Sequence, residues 1–545
     1  MEDVTRVEWR EWGQDAFDEA DRRDVPVLLS LTATWCDHCH EMDEATYNVP
    51  TIAANVNDGF VPIRVDVDRR PRVRDRYNMG GFPSTVFLTP DGTVLTGAGY
   101  LGEDGMRQVI ESVRRMWAEK GADAGRVPRP LRDTEPPSGA LDDVEAALLA
   151  RLEAAYDEAA GGWGEGAKFP LPDALEFALK RDREMALRCF DAVSANLLDE
   201  YEGGFYRFAT GADWSGIQHE KLLDENAALV RAFSHAYCYT GRDEYREPAH
   251  RTIEYLTTTL WNGEAGAFAG SQAPADPETY TLEPSDRESG AEPPVDDTVY
   301  AGANALAIDA CCTYYGYTDD ERARRYAERA LEFLRTALLE DGVAFHSHDT
   351  DCGEPGDERP LLVNQARALA ALTTARSVLG ADVLETAEAV VETTIDRLRD
   401  GDSFVDGPEA GVGLCDRPLR PLDSNVEFAD ALVDLAVLTG ENRYRTIARE
   451  TLEDFAGASD RFGPQVARYG SVATRLCEGP LVVRVADPAG SDLHRAAVRI
   501  ADHEKVVVPE ADLEAGSVRV DHGSRRSEPA TTPEELSDRV QSVLE

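Results

Sequence analysis

Two cysteines separated by two residues, Cys36 and Cys39, are the side chains of this sequence best suited to carry chemistry. They follow an apolar run at residues 27–31 and precede a segment with helical spacing, so the sequence predicts a strand that leads into a helix here. The N-terminus of a helix favours the thiolate of a cysteine placed there. The pattern therefore predicts dithiol–disulfide chemistry, in which Cys36 attacks and Cys39, one helical turn later, resolves the mixed disulfide.

The residues around the pair leave two other interpretations open. Cys36, His38, Cys39 and His40 are four potential zinc ligands, but a closed tetrahedral site is sterically awkward in so short a loop. Cys36-x-x-Cys39-His40 also matches the motif for attachment of c-type haem. Such attachment requires export, and the opening segment MEDVTRVEWREW has no apolar leader. We therefore expect neither a metal nor a cofactor. Asp37 disfavours a Cys36 thiolate and a protonated His38 favours it, and the sequence leaves that balance open.

The elements that position the cysteine pair are complete by about residue 120. Strand-like segments at residues 60–67, 84–88 and 93–98 alternate with helical segments, which gives the order β-α-β-α-β-β-α. The Asp91-Gly92 pair predicts a hairpin turn before the last strand.

This N-terminal segment resembles the thioredoxin fold through Trp35-Cys36-x-x-Cys39 and Phe82-Pro83-Ser84-Thr85. The resemblance implies that Pro83 is cis and that its loop packs against the dithiol. Backbone groups there would be free to pair with an extended, thiol-bearing partner. We therefore place Cys36, Cys39, His38, Pro83 and Trp35 in the redox site. Many thioredoxins hold a buried acid six residues before the first cysteine, where this chain has Ser30, so the usual proton acceptor for the second thiol is missing.

The pattern changes after residue 120. Residues 121–140 are rich in proline, glycine and charge and are predicted to be a linker between a thioredoxin-like domain at residues 1–120 and the rest. From 141 to 478 the apolar spacing is helical. The predicted helices cover residues 141–160, 174–198, 226–239, 245–260, 300–314, 321–339, 362–378, 384–398, 426–438 and 444–455. Similar short turns and glycine–aromatic loops recur between them. This repeat of five or six hairpins predicts an α/α toroid, with a linear solenoid as the alternative, and residues 479–545 return to a small α/β pattern.

Further motifs extend the resemblance to a family. Residues 36–58, CDHCHEMDEATYNVPTIAANVND, are similar to the thioredoxin-like domain of the spermatogenesis-associated protein 20 family. The motifs Trp163-Gly164-x-x-Ala167-Lys168-Phe169-Pro170, Gly203-Gly204-Phe205-Tyr206-Arg207 and His219-Glu220-Lys221-Leu222-Leu223-x-x-Asn226-Ala227 follow in the order of that family. The resemblance covers most of the chain and implies a six-hairpin barrel like that of certain glycosidases and sugar epimerases.

A second group of candidate residues would lie at the mouth of this toroid. Carboxylates beside aromatic rings are what glycosyl chemistry requires, since it needs an acid, a base and a stacking face. The candidates for substrate binding are Trp163, Phe205, Trp214, His219, Glu220, Asp224, Asp296 and Asp297, with Asp213 and Glu225 beside them. In a chain with 103 acidic residues, helix capping and surface acidity explain the same pattern, so both interpretations stay open.

A third group lies on one loop and consists of His346, His348, Asp349, Asp351 and Cys352. Its residue types fit either a metal site or an ordinary polar loop. Cys311 and Cys312 lie in an apolar helical segment, where core packing explains them.

Composition limits the class of partner. The net charge is −47, and only five of the 56 basic residues are lysine, which we interpret as the solvated acidic shell of a salt-adapted protein; an acidic mesophilic protein is the alternative. This sign of charge argues against duplex nucleic acid and anionic membranes as partners. The sequence has no apolar run long enough to span a bilayer. Most of the nine cysteines are isolated within helical patterns, which predicts a reducing cytoplasm.

The sequence thus predicts a multidomain protein, a thioredoxin-like α/β domain fused to an α/α toroid, and three hypotheses for its function. The first is thiol–disulfide exchange at Cys36 and Cys39, with protein thiols or disulfides as partners and the toroid choosing the substrate. The second is a carbohydrate-active enzyme or sugar-binding module in the toroid, with a saccharide as ligand and a structural or regulatory dithiol. The third is a chaperone-like interaction protein that holds clients at the Pro83 edge.

Overall fold

The computed structural model describes residues 5–132, 135–282, 284–287, 292–349, 354–355 and 360–545. The chain forms two compact units. Unit 1 comprises Met1–Glu135 and Asp406–Leu419, and unit 2 comprises Pro136–Val405 and Arg420–Glu545. Residues 406–419 lie within the range predicted for the toroid, yet they belong to unit 1.

Unit 1 is built on one four-stranded sheet. Its elements are α1 (Gln14–Arg23), β1 (Val27–Thr32), α2 (Asp37–Met42), α3 (Pro50–Gly59), β2 (Val61–Asp66), α4 (Pro71–Tyr77), β3 (Ser84–Leu88), β4 (Val94–Ala98) and α5 (Glu103–Lys120). The strand order is β2-β1-β3-β4. Strands β1 and β2 are parallel, and β3 is antiparallel to both of its neighbours. This arrangement confirms the thioredoxin-like fold predicted for the N-terminal segment.

The central strand β1 is apolar along its length because helices cover the sheet. Leu28 of β1 and Phe87 of β3 share one core cluster with Ile52 of α3 and Ile110 of α5. Such two-sided burial produces a near-continuous apolar run instead of an alternating pattern. The strand therefore delivers the residues that follow it, Cys36 among them, from a fixed scaffold.

The segment Asp406–Leu419 completes unit 1 through α4. Arg76, whose side chain is fully buried, donates to Asp406 Oδ2 at 2.7 Å and Oδ1 at 3.1 Å. Arg72 donates to the same carboxylate at 3.3 Å and to the carbonyl oxygens of Ala410 and Cys415. Because both guanidinium groups are removed from water, this one carboxylate and the surrounding carbonyls are what make their burial tolerable.

Unit 2 contains thirteen helices among its described residues before the C-terminal segment. They are α6 (Val144–Ala155), α7 (Pro172–Arg181), α8 (Arg183–Leu197), α9 (Leu223–Thr240), α10 (Asp243–Thr258), α11 (Pro284–Arg287), α12 (Ala301–Thr318), α13 (Glu321–Phe333), α14 (Leu362–Leu379), α15 (Leu384–Leu398), α16 (Leu422–Thr439), α17 (Asn442–Phe455) and α18 (Arg468–Glu478). The predicted helix 174–198 is divided at Asp182, and α18 lies beyond the last helix that the spacing predicts.

Six of these helices form a closed inner ring. Each contacts the next in the order α7, α9, α12, α14, α16 and α18, and α18 contacts α7 again. Helices α8, α10, α13, α15, α17 and α6 pack outside them. The closure confirms the α/α toroid and excludes the linear solenoid.

The loops at one rim of the ring contain short paired strands. These are β5 (Phe208–Ala209), β6 (Ile217–Gln218), β7 (Lys221–Leu222), β8 (Trp261–Asn262), β9 (Ala267–Phe268), β10 (Ser271–Gln272), β11 (Val295–Asp296), β12 (Val299–Tyr300), β13 (Leu339–Glu340), β14 (Val343–Ala344), β15 (Ser347–Asp349), β16 (Glu354–Pro355), β17 (Arg399–Asp400) and β18 (Ser403–Phe404). They pair within and between the loops that precede the inner helices.

A buried asparagine in the first turn of three inner helices holds the backbone of a glycine–aromatic loop. In each case the amide side chain accepts from the N–H of a phenylalanine and donates to the carbonyl of the same residue. The pairs are Asn226 with Phe205, Asn304 with Phe268, and Asn425 with Phe404. These contacts satisfy backbone groups that would otherwise be buried without partners, which explains why the loop motif repeats.

The C-terminal part of unit 2 is a second four-stranded sheet. It consists of β19 (Leu481–Val485), α19 (Asp492–Val498), β20 (Val506–Val508), β21 (Val518–His522), β22 (Arg525–Arg526) and α20 (Pro533–Leu544). The strand order is β20-β19-β21-β22. Within the described residues, none of the helices has the length and apolar character that a bilayer-spanning segment needs.

Candidate functional site

Cys36 and Cys39 form a disulfide at the start of α2. The sulfur atoms are 2.11 Å apart and the Cα atoms 5.2 Å apart. Cys36 occupies the N-cap position, and its Sγ accepts a hydrogen bond of 3.2 Å from the backbone N–H of Cys39. Both residues are largely buried, with 6% and 3% of their surface exposed. The predicted pairing of the two sulfurs is therefore present, and a hydrogen-bond donor is directed at the first of them.

The Phe82–Pro83 loop lies at the same end of the sheet as the disulfide. Pro83 precedes β3, whose first residue Ser84 pairs with Leu31 near the end of β1. The Phe82–Pro83 peptide bond is cis, as the resemblance implied. The rings of Phe82 and Trp35 meet edge to face with their centroids 6.0 Å apart. The strand pairing thus brings together the two motifs on which the resemblance to thioredoxins rests.

Trp35 is fixed from the other side by Asp68. Its indole Nε1 donates a hydrogen bond of 2.6 Å to Asp68 Oδ2, in the loop between β2 and α4. The carboxylate and the Phe82 ring hold the tryptophan beside Cys36. Trp35 is therefore placed as a wall of the redox site, and a role in contacting a substrate stays a prediction.

His38 lies at the surface of the redox site. Its side chain is 63% exposed, and its Nδ1 is 3.3 Å from Glu41 Oε2. The exposed ring of Tyr100 lies edge-on to it at 6.5 Å, and the Tyr100 hydroxyl donates to Glu41. His38 is therefore placed at the open side of the redox site, and its role in the chemistry stays a prediction.

Neutral hydroxyl groups occupy the region where many thioredoxins hold a buried acid. Ser30 pairs with Thr85 across β1 and β3, and the Tyr47 hydroxyl lies 3.3 Å from Thr85 Oγ1. Burial raises the pKa of Tyr47, and hydrogen bonds to Thr85 and Ser30 only partly offset this. Tyr47 therefore stays neutral at physiological pH, so this cluster can pass a proton along hydrogen bonds but cannot hold a negative charge.

The aromatic residues predicted for the toroid mouth lie in the core of unit 2. Trp163 and Phe205 are buried, and Phe205 stacks on Phe233 with a centroid distance of 5.3 Å. Trp214 is also buried, and its indole N–H donates to the carbonyl of Ala160. Phe205 thus packs against α9, and Trp214 binds the loop that precedes α7. A substrate-binding role for these three residues stays a prediction.

The polar residues predicted for the mouth are distributed over neighbouring contacts. Glu220 accepts from Arg207 at 3.2 Å, Asp224 is 3.8 Å from Arg367, and Asp296 accepts from the Tyr300 hydroxyl at 3.1 Å. The sheet β11-β10-β7 places Asp296 and Leu222 on either side of Ser271. It thereby brings the two predicted loops to one rim, and their role in binding stays a prediction.

His219 stacks on an aromatic ring of the same rim. Its ring lies 3.7 Å from that of Tyr280 and is nearly parallel to it. Burial lowers the pKa of His219 to about 4. A neutral imidazole in a stack is suited to packing or hydrogen bonding, whereas a charged role at neutral pH is excluded. Asp297 precedes β12, and Asp213 is exposed and accepts from Ser215.

The candidate metal loop is only partly described. His346 is buried beside Asn364, whose Nδ2 lies 3.1 Å from His346 Nδ1. His348 lies on β15, next to Asp349, while Asp351 and Cys352 lie outside the described residues. Within the described part of the chain, no three histidine, cysteine, aspartate or glutamate side chains are arranged to hold a metal ion.

The centre of the toroid holds a charged cavity that the residue patterns of the sequence did not predict. Its volume is about 160 Å³, and all six inner helices line it. Arg231 on α9 donates to Glu176 on α7 at 2.9 and 3.1 Å and to Asp309 on α12 at 3.0 Å. Its charged residues are Asp173, Glu176, Arg231, Asp309, Asp430, Asp434, Arg468, Arg475, Glu504 and Lys505.

The α16–α18 side of this cavity is also built from ion pairs. Arg468 donates to Asp430 at 3.1 and 3.0 Å, and Arg475 binds both Asp430 and Asp434. Arg475 Nε is buried without a hydrogen-bond partner among the described residues. Arg231 lies within an apolar stretch of α9, and such a charged residue in the sequence indicates a polar interior. The spacing of apolar residues does not show which distant charges it contacts.

An acidic group with a shifted pKa lies at the start of α9. Burial raises the pKa of Glu225 to about 8, although Arg207 at 3.5 Å opposes the shift. About a third of the side chain remains exposed. A carboxylic acid that is protonated near neutral pH can donate as well as accept a hydrogen bond, which suits it to bind hydroxyl groups.

Comparison with known proteins identifies the N-terminal part. Residues 2–130 match the family model Thioredox_DsbH, described as a protein of unknown function, DUF255. Thioredoxin-1 of Drosophila melanogaster is 30% identical over 76 residues, which are 14% of this chain and 68% of that protein. The chain carries a Thioredox_DsbH domain. Through this domain it belongs to the thioredoxin-like proteins.

Similarity extends beyond the Thioredox_DsbH domain. Spermatogenesis-associated protein 20 of Homo sapiens is 29% identical over 312 residues, which are 50% of this chain and 39% of that protein. The aligned region thus spans about two fifths of the length of this relative. Cellobiose 2-epimerase of Bacteroides fragilis is 28% identical over 154 residues, 28% of this chain and 35% of the epimerase. The solved structure of cellobiose 2-epimerase from Spirochaeta thermophila DSM 6192 is 18% identical and covers 59% of this chain and 85% of its own, with a TM-score of 0.45.

Proposed function

We propose that this chain is a thiol–disulfide oxidoreductase that works through Cys36 and Cys39, with the toroid selecting its substrate or partner. One observation carries the proposal. Cys36 caps α2, is bonded to Cys39 three residues later, and accepts a hydrogen bond from the backbone of Cys39. A donor aimed at the first sulfur stabilises the Cys36 thiolate that leaves when the mixed disulfide with the substrate is resolved.

The exchange is a balanced sequence of two thiolate attacks. A substrate thiolate attacks Cys36 Sγ, the Cys36–Cys39 bond breaks, and Cys39 leaves as a thiolate that takes up a proton. A second thiolate of the substrate then attacks its own sulfur in the mixed disulfide and releases Cys36. The substrate is oxidised to a disulfide and the protein is reduced to a dithiol by the same two electrons; the reverse sequence reduces a substrate disulfide.

The buried hydroxyl groups of Ser30, Thr85 and Tyr47 affect how Cys39 can lose its proton. Without a carboxylate in this cluster, deprotonation of Cys39 depends on solvent or on the hydroxyl network. In the reverse direction, where Cys39 resolves the mixed disulfide, turnover should therefore be slow at neutral pH and become faster as the pH rises. Rapid turnover below pH 7 would contradict this part of the proposal.

The test uses the full chain and a peptide that carries two thiols. The disulfide-bonded protein is mixed with the dithiol peptide, and both redox states are trapped by alkylation at timed intervals. Neither C36S nor C39S can form the disulfide that the peptide thiolate attacks, so each is expected to lower the rate of peptide oxidation at least about 100-fold. C477S, which changes an exposed free cysteine, is the matched control and should leave the rate unchanged. Unchanged exchange in C36S would refute the proposal.

A second candidate function, saccharide binding in the toroid, is favoured by the central cavity. Ion-paired carboxylates and guanidinium groups on its wall present fixed acceptors and donors together, which suits a ligand rich in hydroxyl groups. Its volume of about 160 Å³ suits a ligand about the size of one sugar ring. The similarity to a cellobiose 2-epimerase supports the same class of ligand.

Thermal unfolding in the presence of mono- and disaccharides tests this second candidate. A binding saccharide should raise the melting temperature of the chain in a concentration-dependent way. E176Q should abolish the shift, because Glu176 lines the cavity, whereas E158Q on the surface should not. The absence of a shift with every saccharide would count against this candidate and would leave the redox proposal untouched.

A further inference from the structure

The C-terminal part of unit 2 repeats the topology of the thioredoxin-like domain. Strands β19 and β20 are parallel and joined by α19, as β1 and β2 are parallel and joined through α2 and α3. Strands β21 and β22 form an antiparallel hairpin beside β19 and precede the final helix α20. The strand orders β2-β1-β3-β4 and β20-β19-β21-β22 correspond strand for strand.

The helix that follows the central strand begins in the same way in both domains. Ser491 caps α19, and its hydroxyl accepts from the backbone N–H of His494 at 3.3 Å. Cys36 caps α2 and accepts from Cys39 at 3.2 Å. Counted from the caps, Ser491 and His494 correspond to Cys36 and Cys39. The residue before β21 is Ser517, where Pro83 precedes β3, so the second domain lacks the dithiol and the proline.

In the C-terminal domain, the position that corresponds to the dithiol of unit 1 contacts the toroid instead. His494 Nδ1 accepts from the N–H of Gly490, so the ring carries its proton on Nε2 and donates to the carbonyl of Ser377 on α14 at 2.8 Å. Ala489 packs against Gly380, where an added Cβ would lie only 2.8 Å from the alanine side chain. This end of the domain is therefore fitted to the C-terminus of an inner helix.

The loop Asp502–Lys505 of the same domain enters the C-terminal end of the ring. Glu504 is buried between Arg181 at 2.7 Å and Lys180 at 3.0 Å, both in the last turn of α7. Lys180 also donates to Asp502 at 2.8 Å. Buried carboxylates of this kind require their partners, because separation would leave charges without compensation.

The remaining side chains of this loop line the central cavity. The ring of His503 lies 4.8 Å from that of His235, and its Nδ1 is 3.1 Å from the Tyr239 hydroxyl. Lys505 lies over the ring of Tyr317. Residues 498 and 503–507 form the wall of the cavity at this end.

We propose that the C-terminal domain is a second thioredoxin-type unit without redox chemistry, and that it seals the central cavity at the C-terminal ends of the inner helices. A ligand then enters the cavity only from the rim at the N-terminal ends of these helices. This assignment is independent of the proposed redox and saccharide functions, because it concerns access to the cavity and not what binds there.

Cys238 on α9 is a natural reporter for this seal. Its Sγ lies 3.6 and 3.7 Å from the carbonyl oxygens of Arg499 and Ile500, in the segment that covers the end of the ring. The thiol is partly exposed in the closed structure, and because its sulfur faces that segment, it becomes more accessible when the segment moves away. Alkylation of Cys238 with a small maleimide, followed by peptide mass spectrometry, therefore measures opening of the seal in the full chain.

The seal is loosened by E504Q, which removes the charge that binds Lys180 and Arg181. We expect alkylation of Cys238 to become at least tenfold faster in E504Q, while the rate at the exposed Cys477 stays the same. H522A, at the end of β21 away from the cavity wall, is the matched control and should leave both rates unchanged. An unchanged Cys238 rate in a folded E504Q protein would overturn the proposal.

H503A provides a second variant if E504Q fails to fold. It removes only the ring that fills the end of the cavity and leaves the ion pairs in place. In this variant T313C, whose side chain lines the cavity, should react with maleimide at least tenfold faster than in the otherwise native chain. Equal rates would show that the cavity is reached from elsewhere and would refute the seal.

Discussion

The redox site and the central cavity of the toroid are assembled over very different distances along the chain. Trp35, Cys36, His38 and Cys39 lie within five consecutive residues, and Asp68 and the Phe82–Pro83 loop join them from elsewhere in unit 1. The cavity takes its charged side chains from five inner helices and from the loop at Glu504 and Lys505, over residues 173–505. The first site depends on a local cap and one strand pairing, whereas the second exists only when the ring closes.

The two sites therefore differ in how strongly a substitution at the site affects the stability of the fold. Replacing a residue of the redox site should change its reactivity and leave the fold of unit 1 largely intact. Replacing a charge in the cavity leaves its partners buried without compensation and should destabilise the toroid.

The largest effect should come from C36S, which is expected to reduce disulfide exchange at least about 100-fold because the attacked sulfur is lost. R231M is the counterpart in the cavity and should leave the exchange rate within about twofold. The rate of peptide oxidation by each purified variant measures this. A strong loss of exchange in a folded R231M protein would show that the two sites are coupled after all.

The second prediction concerns the dependence of unit 1 on a distant segment. D406N removes the carboxylate that Arg72 and Arg76 share, and breaking such a buried pair costs about 3–5 kcal/mol in free energy of unfolding. Urea denaturation followed by the fluorescence of unit 1 measures the loss. Asp400 pairs with Arg420, but its carboxylate is mostly exposed. D400N should therefore change the free energy of unfolding by less than about 1 kcal/mol. Equal effects of the two variants would mean that the stability of unit 1 does not depend on the segment Asp406–Leu419.

The third prediction is a pH dependence at the sealed end of the cavity. Burial lowers the pKa of His503 from 6.5 to about 4. The unfolded chain therefore binds a proton more readily than the folded chain between these values, and stability should fall as the pH drops from about 6.5 to 4. The loss amounts to about 3 kcal/mol for a shift of this size.

Melting temperatures measured from pH 7.5 to 4 test the His503 prediction. H503Q should make the profile shallower over this range, since glutamine does not titrate, while His219, whose pKa burial also lowers to about 4, keeps its own contribution. Glu504 and Asp502, whose pKa values are lowered in the folded state although burial opposes this, add a further loss below about pH 4.5 that H503Q should retain. A profile that H503Q leaves unchanged would assign the dependence to other groups.

The smallest effect is expected from Y47F, which removes the hydroxyl next to Thr85. The loss of one buried hydrogen bond should cost about 1 kcal/mol in unfolding free energy. If the hydroxyl network carries the proton of Cys39, the pH at which exchange reaches half its maximum should also rise in Y47F. T96A in β4, which lies outside this cluster, is the control; an identical shift in both variants would exclude a specific role for Tyr47.

The redox site could be predicted from the sequence because its information is local. The Cys-x-x-Cys spacing, the apolar strand before it and Phe82-Pro83 after it each carry a physical meaning by themselves. The prediction for the toroid mouth was weaker for the opposite reason. Trp163, Phe205 and Trp214 have the residue types of a stacking site, but in the fold they are buried in the core of unit 2.

The sequence alone determined the two kinds of architecture, since period-two and period-3.6 apolar patterns reflect the geometry of strands and helices. It also determined the pair of cysteines at a helix start. Only the tertiary structure decided that the ring closes, that Arg231 meets Glu176 and Asp309, and that Asp406 enters unit 1 beside Arg76. These contacts join residues far apart in the chain, and periodicity carries no information about which distant charges become neighbours.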